Sequence, residues 1–548
     1  MAAKVTATLP TAFRDFDAAF RAQGSWWKNQ GQTSAFPCLP LQVLTVVTLA
    51  GLVALNLAIV TIFVTQANNG YDSALISSYQ AFRPWRDDLD NPSASRIGFL
   101  NLISYCCGFA TAPLAAWASD RVGRRLCIRY ATITMVIGSV MGVCAGEGSA
   151  SPYGLFLGSR AIIGSGLAFA VIISPILLQE LPHPSQRQTL AASFNTYYLL
   201  GSIVAAWTCF GTGTLTTSWS WRIPYIVQIG PAVFALIAVH FIPESPRFHM
   251  GRGDEQKALD FLIKYHGNGE HTELVTFEFE EMKETIAKEK EMQQYGWSIL
   301  WATSANRRRI ALVLWIGFCQ TLSGQAIITF YYTSILKLVG LTDTRQVTGI
   351  NGGLQIFNWL ASLLGTFLVP RVPRRKLLLT AWTGVLFSNV WLIVASALYA
   401  QNGSKAAGIA AVAAVWVYDF WFNLVCGPLF FSYTAEILPF SMRAKGMMAN
   451  ALLTKSASIF NSYVNSVALA AIGWKYYCVY CPIIVIQLIG WYFLAVNSGG
   501  LTLEEIAVLF EPDGAVPDVE HAAAVAHHTL VKDASDKDGL SLDGEIKK

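Results

Sequence analysis

Two residues of opposite charge, Asp72 and Arg160, lie within long apolar segments of the sequence. Asp72 follows an apolar segment, 41–64, that holds no charged residue, and Arg160 lies in the stretch Gly158–Gly166. A charge at the centre of a bilayer costs roughly 3 kcal/mol on insertion scales, so it tends to mark an ion or substrate path and to need a partner. An acid and a base in one helical bundle indicate a proton or solute relay. They are equally compatible with an ion pair that only fixes helix register.

The composition places these charges in a membrane protein. Of the 548 residues, 53% are hydrophobic and 14% are charged, whereas soluble proteins carry about 25% charged residues. Apolar runs recur along nearly the whole chain, and each is long enough to span roughly 30 Å of hydrocarbon as a helix. The ten cysteines fall almost wholly inside these runs. They are typical of small hydrophobic residues rather than of disulfides or metal ligands, and no cofactor is expected.

Twelve spanning segments are predicted, and the basic residues between them set the orientation. The predicted segments are 48–78, 97–118, 127–146, 153–179, 190–210, 222–242, 309–335, 348–369, 377–400, 408–435, 447–471 and 476–496. Lys and Arg concentrate in the loops Asp120–Arg125, Arg371–Lys376 and Arg443–Lys445, which predicts that these loops and both termini are cytosolic. Asn402 begins a glycosylation sequon in a predicted outside loop, and no cleavable signal peptide is evident in residues 1–40.

A charged segment divides the chain into two parts. We predict an N-terminal cytosolic tail (1–45), a first six-helix half (46–248), a cytosolic helical linker (249–308), a second six-helix half (309–498) and a C-terminal cytosolic tail (499–548). Within the linker, 254–266 has the apolar spacing of a short amphipathic helix, and 272–294 is rich in Glu and Lys. The net charge of +4 is too small to indicate a nucleic-acid partner.

Polar landmarks repeat at a nearly constant interval. The segment 120–125 recurs in eroded form at 370–375, and Glu180 with Arg187 recurs as Glu436 with Arg443. Asp72 advanced by a similar interval reaches a polar break at 323–325. The chain is therefore predicted to consist of two homologous six-helix halves, an architecture in which the halves rock about a site near the membrane midplane.

These motifs in combination resemble those of the sugar porters of the major facilitator superfamily. The similarity extends from about Gly70 to Glu505 and is nearest to the fungal lactose-permease and cellodextrin-transporter branch. The motifs that carry it are Gly70-Tyr71-Asp72, Asp120–Arg125, Arg160 with Gly164 and Gly166, Pro175–Arg187, Trp221–Pro224, Pro243–Phe248, Tyr265–Gly269, Ser323-Gly324, Glu436–Arg443 and Thr502–Glu505. The resemblance implies an all-α major facilitator fold of twelve transmembrane helices.

The resemblance also implies a role for the buried charges. In the family, the residues that match Asp72 and Arg160 couple proton movement to sugar movement, and facilitators tend to lack the acid. A carboxylate that faces an arginine stays ionised, and it can take up a proton when helix motion separates the pair. The presence of Asp72 therefore favours a symporter.

A second set of charged residues is predicted to form a cytosolic gate. By the resemblance, charge pairs across the inner ends of the two halves hold the inward side shut and break when it opens. The alternative is that the arginines are topology anchors only. The predicted gating residues are Asp120, Arg121, Arg124, Arg125, Glu180, Arg187, Glu244, Arg247, Glu436 and Arg443.

Polar side chains within the spanning segments are candidates for a sugar site. Buried amides cost free energy unless they are paired, so several in one bundle indicate a polar cavity; each could instead join neighbouring helices. The candidate substrate-binding residues are Asn195, Gln320, Gln325, Asn358, Asn423 and Phe431. Phe431 replaces the tryptophan that many sugar porters carry, and other family amides are lost, which leaves the substrate open. Lys455 could meet an anionic substrate or pair with Asp419.

The function predicted from these residues is proton-coupled import of a mono- or disaccharide by alternating access, by a monomer in the plasma membrane. One alternative is a transporter of another small molecule, such as a polyol, an organic acid or a secondary metabolite. Another is a non-transporting sugar sensor, although such sensors usually carry a longer cytosolic tail. An enzyme is not expected, because no Ser/His, His-cluster or paired-Asp constellation lies among the helices.

Overall fold

Every regular element in the described part of the chain is a helix. The structure is a computed structural model, and it describes residues 50–146, 151–267, 269–293, 297–338, 340–341, 343–369, 371–497 and 510. The α-helices are α1 (Ala50–Tyr79), α2 (Arg83–Asp88), α3 (Ala94–Arg121), α4 (Arg124–Val143), α5 (Pro152–Glu180), α6 (Pro184–Thr212), α7 (Trp219–Ala238), α8 (Pro246–Gly251), α9 (Glu255–Tyr265), α10 (Glu273–Gln293), α11 (Ser304–Thr321), α12 (Gln325–Leu338), α13 (Thr344–Leu368), α14 (Arg374–Asn402), α15 (Lys405–Ile437), α16 (Phe440–Ile472) and α17 (Tyr477–Leu494). Short 3₁₀ turns occupy Trp297–Leu300 and Gly473–Tyr476.

The long helices occupy the positions of the predicted spanning segments. Six of them (α1 and α3–α7) precede the linker, and α11 with α12 and then α13–α17 follow it. By length and composition, eight stretches of the described helices can cross a membrane. A helix satisfies all of its backbone hydrogen bonds within one segment, which is why hydropathy predicts it well in lipid. The predicted all-α fold is confirmed. The predicted tails, 1–45 and 499–548, lie outside the described residues except for Phe510.

The seventh spanning segment is broken rather than continuous. Helix α11 ends at Thr321 and α12 begins at Gln325, with Gly324 between them at a φ of +104°. Such a φ strains any residue with a side chain. The hydroxyl of Tyr418 donates a hydrogen bond of 2.8 Å to the freed carbonyl oxygen of Ser323. This carbonyl group is therefore satisfied from within the protein, as polar groups of irregular backbone at membrane depth must be.

Close helix packing positions the charged residues of the first half. Helix α1 packs along α6, and α5 packs against both α3 and α4. A Cβ atom at Gly70 would collide with the carbonyl group of Tyr198 on α6, and one at Gly164 would collide with the backbone of Ser104 on α3. The absent side chains let the backbones approach, as is usual between membrane helices. Asp72 and Arg160 thereby lie within reach of each other.

The two halves meet mainly along α3 with α16, α6 with α13, and α1 with α12. Thr333 donates to the carbonyl oxygen of Ser77 at 2.6 Å, and Asn351 donates to the hydroxyl oxygen of Ser78 at 3.0 Å. Further hydrogen bonds between the halves join Ser466 to Ala94, Ser95 to Tyr463, Asn101 to Tyr331 and Thr344 to Ala81. All of these lie toward the end of the bundle that carries the connection 80–93. We call this end of the bundle the opposite end. The other end, which carries loops 122–123, 181–183 and 371–373, we call the basic end.

The linker helices α8–α10 pack against one another at the basic end. Nδ1 of His266 lies 2.7 Å from a carboxylate oxygen of Glu278, and its Nε2 lies 3.2 Å from the carbonyl oxygen of Leu181. Both side chains are buried. Because Leu181 directly follows α5, this contact joins the linker to the first half.

Candidate functional site

Asp72 and Arg160 form a buried, bidentate ion pair. Nη1 of Arg160 donates to Oδ1 of Asp72 at 2.7 Å, and Nη2 donates to Oδ2 at 3.0 Å. Each side chain is 2% exposed. Paired hydrogen bonds between a guanidinium and a carboxylate are the strong, directional kind. The desolvation of two buried charges offsets most of the Coulombic gain, however, so the pair adds little net stability. Removal of either residue would nevertheless be strongly destabilising, because it would leave the other charge buried without a partner.

A third residue, Gln228 on α7, completes this site. Its Nε2 donates to Oδ1 of Asp72 at 3.1 Å, and the side chain is fully buried. The hydroxyl of Tyr71 donates to the carbonyl oxygen of Pro224 at 2.9 Å, which ties α1 to α7 beside the pair. The sequence analysis did not select Gln228. The available signal was a single amide within the apolar segment 222–242.

At the basic end of the first half, the charged residues form a compact network. Nε of Arg124 lies 3.2 Å from a carboxylate oxygen of Glu180, and the backbone N–H of Arg124 donates to Glu244 at 2.9 Å. Gly123 precedes α4 at a φ of +107°, and a Cβ atom there would collide with the Glu244 carboxylate. A carboxylate at a helix N-terminus is stabilised by the exposed N–H groups and the helix dipole. The glycine of the motif thus makes room for an anionic cap.

The remaining predicted gating residues of the first half lie around this network. Arg125 donates through Nε to the carbonyl oxygen of Val239 at 3.0 Å. Asp120 is 79% exposed and lies 3.6 Å from Arg124. The Arg121 guanidinium lies 5.9 Å from the centre of the Trp117 ring. Arg247 acts electrostatically on Glu180. The side chain of Arg187 lies outside the described residues.

The second half repeats this network with fewer charges. Nη2 of Arg374 lies 3.3 Å from a carboxylate oxygen of Glu436. The backbone N–H of Arg375 donates to Oδ1 of Asn497 at 3.0 Å, so an amide takes the place that Glu244 has in the first half. Arg443 donates to the carbonyl oxygen of Leu438 at 3.3 Å.

The described charge pairs at the basic end join residues within one half. The sequence analysis expected pairs between the halves, and it selected neither Arg374 nor Asn497. The predicted charge pairs between the halves belong to the state in which the basic end is closed, and they stay a prediction.

Two of the six candidate substrate residues lie beside one further carboxylate, Asp419 of α15, and a third binds its backbone. Asn358 donates to Oδ2 of Asp419 at 2.8 Å, the Gln325 side chain lies close enough to interact with the carboxylate, and Asn423 donates to the backbone carbonyl oxygen of Asp419 at 2.9 Å. Asn195 is exposed and donates to the carbonyl oxygen of Gly427 across the two halves at 3.3 Å.

The other sequence-selected residues lie apart from Asp419. Gln320 is exposed at the end of α11, and the side chain of Phe431 lies outside the described residues. The Lys455 ammonium lies 6.0 Å from the centre of the Tyr105 ring, across the two halves, rather than against Asp419. Asn402 is exposed at the end of α14. In the described part of the chain, no group of three or more His, Cys, Asp or Glu residues could hold a metal ion.

Transporters from plants and fungi are similar in sequence to most of this chain. The protein named "Probable polyol transporter 6" of Arabidopsis thaliana is 26% identical over 83% of this chain and 94% of its own length. The low-affinity glucose transporter HXT4 of Saccharomyces cerevisiae is 26% identical over 78% of this chain and 74% of its own. The MFS-type transporter criB of Aspergillus cristatus is 24% identical over 81% of this chain and 90% of its own length.

Solved structures share the fold. The inward-open conformation of the xylose transporter XylE from E. coli superimposes with a TM-score of 0.67 at 21% identity, covering 83% of this chain and 99% of the other. A proton:xylose symporter structure of XylE, bound to 6-bromo-6-deoxy-D-glucose, gives 0.66 at 22% identity over 84% and 100%. The family described as "Sugar (and other) transporter" matches residues 57–510. The chain therefore belongs to the family of sugar and other transporters and has the major facilitator fold.

Proposed function

We propose that this protein is a proton-coupled symporter that imports a neutral polyhydroxylated solute, a mono- or disaccharide, across the cell membrane. The observation that carries the proposal is the buried bidentate pair of Asp72 and Arg160. A fully desolvated carboxylate in a membrane protein is expected to serve transport rather than packing. Both termini are proposed to be cytosolic, on the basis of the basic loops.

The pair provides a mechanism for coupling. While Arg160 and Gln228 bind Asp72, both carboxylate oxygens accept hydrogen bonds and the guanidinium balances the negative charge. If the rocking of the halves separates α1 from α5, the carboxylate loses its cationic partner in a low-dielectric environment and takes up a proton from the open side. Proton binding and helix movement are then linked, because each favours the other.

The arrangement of the halves supports alternating access. Hydrogen bonds between the halves concentrate toward the opposite end, while the described ion pairs at the basic end stay within each half. If the basic end is cytosolic, this conformation is closed to the outside and faces inward. The proposed gate then closes the basic end in the outward-facing state, and the motif residues supply its charges.

The polar groups of both halves favour a neutral substrate. Amides donate to and accept from hydroxyl groups, each such bond contributing about 0.5–1.5 kcal/mol net. Asn195 lies in the first half, and Gln320, Gln325, Asn358 and Asn423 in the second. A polyol is a second candidate, because two of the similar plant proteins are named as polyol transporters. The proposed fungal lactose-permease and cellodextrin branch stays a prediction.

Uptake by purified protein in proteoliposomes tests the proposal. A panel of labelled sugars and polyols should accumulate above the external concentration only when a proton gradient is imposed. The Asp72→Asn variant should accumulate far less substrate than wild type and keep part of the exchange between equal pools. Asp260→Asn, at an exposed site in α9, is the matched control and should behave as wild type. Undiminished accumulation by Asp72→Asn would overturn the coupling role.

A further inference from the structure

A second buried carboxylate, Asp419, lies in the other half of the molecule. Its side chain is 1% exposed and belongs to α15 in the middle of a spanning helix. Among the described residues it makes no ion pair, and Lys455, the lysine of the eleventh predicted spanning segment, contacts Tyr105 instead. A buried carboxylate without a cation is strongly destabilised in its charged form.

Three buried oxygen atoms at Asp419 and its two amide neighbours lack a hydrogen-bond donor among the described residues. Asn358 on α13 donates to its Oδ2, and Gln325 on α12 lies beside it. Oδ1 of Asp419, Oδ1 of Asn358 and Oε1 of Gln325 are all buried and have no hydrogen-bond donor among the described residues. The titratable groups that face Asp419 are the phenols of Tyr332 on α12 and Tyr418 on α15. No charged group faces it from the described parts of these helices.

One proton would resolve this imbalance. A protonated carboxyl group is a donor as well as an acceptor, so Asp419 could donate through Oδ1 to an amide oxygen of Gln325 or Asn358. Either amide can present its oxygen, because the orientation of an amide is assigned from its hydrogen bonds. Protonation would also remove the buried charge.

We propose that Asp419, with Asn358 and Gln325, is a second proton-binding site, occupied in this conformation and separate from Asp72. The proposal rests on the proposed symport function and extends it to two protons for each substrate molecule. The proton comes from water on the open side, converts the carboxylate to the acid, and leaves when the site is exposed to the other side.

The internal repeat places the two acids in corresponding helix pairs. Glu180 and Glu436 are 256 residues apart, and the same interval carries Arg160 to Trp416, one helical turn before Asp419. It carries Asn69, one turn before Asp72, to Gln325. In the first half the acid lies on α1 and the base on α5; in the second half an amide lies on α12 and the acid on α15.

The helix break gives this site a means of responding to movement. Gln325 is the first residue of α12, immediately after the irregular segment at Gly324, and α12 contacts α1 of the other half. A shift of α12 during rocking would change the contact between Gln325 and Asp419. The Gln325 side chain, which lies beside the carboxylate, is partly exposed.

The first experiment measures the number of protons moved with each substrate molecule. Proteoliposomes are held at a series of membrane potentials and substrate gradients, and the potential at which net transport reverses is recorded. Wild type should move two protons, Asp419→Asn one, and Asp419→Glu two, because the glutamate keeps a titratable group. An unchanged ratio in Asp419→Asn overturns the second site, even if its half-saturation concentration rises. No proton movement in wild type would overturn the proposed symport instead.

The second experiment observes the carboxyl group directly. Infrared difference spectra of the wild-type protein, recorded as a function of pH, should show a buried protonated-carboxyl band that Asp72→Asn retains and Asp419→Asn lacks. This readout needs no transport, so it remains informative if the symport proposal fails. Absence of such a band from both wild type and Asp72→Asn would overturn the second site. This outcome does not require the Asp419 variants, so it can be read even if they do not fold.

Discussion

Asp72 and Asp419 are both almost fully buried at membrane depth, yet their partners differ in kind. Asp72 receives three hydrogen bonds, two from a guanidinium and one from an amide. Asp419 receives one bond from the Asn358 amide, and one of its oxygens has no described donor. A cation stabilises the charged carboxylate, whereas amides alone do so weakly. The comparison teaches that similar burial in two related halves can accompany opposite surroundings: in this conformation one acid is paired with a cation, and the other, as proposed, holds a proton.

The same asymmetry recurs at the basic end. Glu244 accepts the first N–H groups of α4 in the first half, and Asn497 accepts one from α14 in the second. Gly123 provides the space for Glu244, whereas Pro373 occupies the corresponding place before α14. At Asp419 and at the N-terminus of α14, the second half thus has neutral polar contacts where the first half has charged ones, whereas the Arg374–Glu436 ion pair is kept.

The largest expected effect comes from removing the cation of the first half. Arg160→Leu leaves Asp72 buried without its partner and should lower the free energy of unfolding by about 3–5 kcal/mol. Asn358→Leu removes only a neutral donor from Asp419 and should cost about 1–3 kcal/mol. Unfolding of the purified variants in detergent measures both. Asp72→Asn combined with Arg160→Leu should recover part of the loss, and equal losses in the two single variants would contradict the comparison.

The next effect concerns substrate recognition. Gln320→Ala should raise the half-saturation concentration several-fold for a neutral sugar, because it removes a contact of about 0.5–1.5 kcal/mol. Lys455→Met should change it much less, since a neutral substrate offers no charge to the ammonium. Initial rates of both variants on one substrate decide the matter. A larger loss in Lys455→Met would mean that the substrate is an anion and that the sugar assignment is wrong.

A smaller, few-fold effect is expected at the proposed gate. In a cysteine-free background carrying Asn195→Cys, neutralising Glu180 with Gln should increase the rate of labelling by a thiol reagent, because the inward-facing state becomes relatively more populated. Glu436→Gln should have a weaker effect, since the Glu436 side chain is 28% exposed and that of Glu180 is 9%. Unchanged labelling in both variants would show that these residues only anchor the topology.

The smallest effect separates the two helix caps. Glu244→Gln removes a charge from the N-terminus of α4 and should cost about 0.3–1 kcal/mol. Asn497→Asp adds a charge at the N-terminus of α14 and should gain a similar amount or less. Unfolding measured at low and high salt checks the electrostatic origin, because salt screens both differences. A loss in Asn497→Asp would contradict the proposed equivalence of the two caps.

The sequence by itself determined the all-helical membrane fold, the positions of the long helices, the linker helices and the family. These properties depend on local sequence: on apolar runs long enough to span a membrane, and on motifs whose residues are neighbours in the chain. The pairing of Asp72 with Arg160 was also predictable, because few charged residues lie within the spanning segments.

Only the tertiary structure decided the contacts that depend on helix rotation and separation. Gln228 at Asp72, Asn497 at α14, the ion pairs within each half, and the lack of a described cation at Asp419 all involve residues far apart in sequence. The tertiary structure alone also decided at which end of the bundle the hydrogen bonds between the halves concentrate. A rotation of one residue turns a helical side chain by about 100°, so hydropathy cannot say which polar groups face each other. Close backbone packing, as at Gly70 and Gly164, sets those faces.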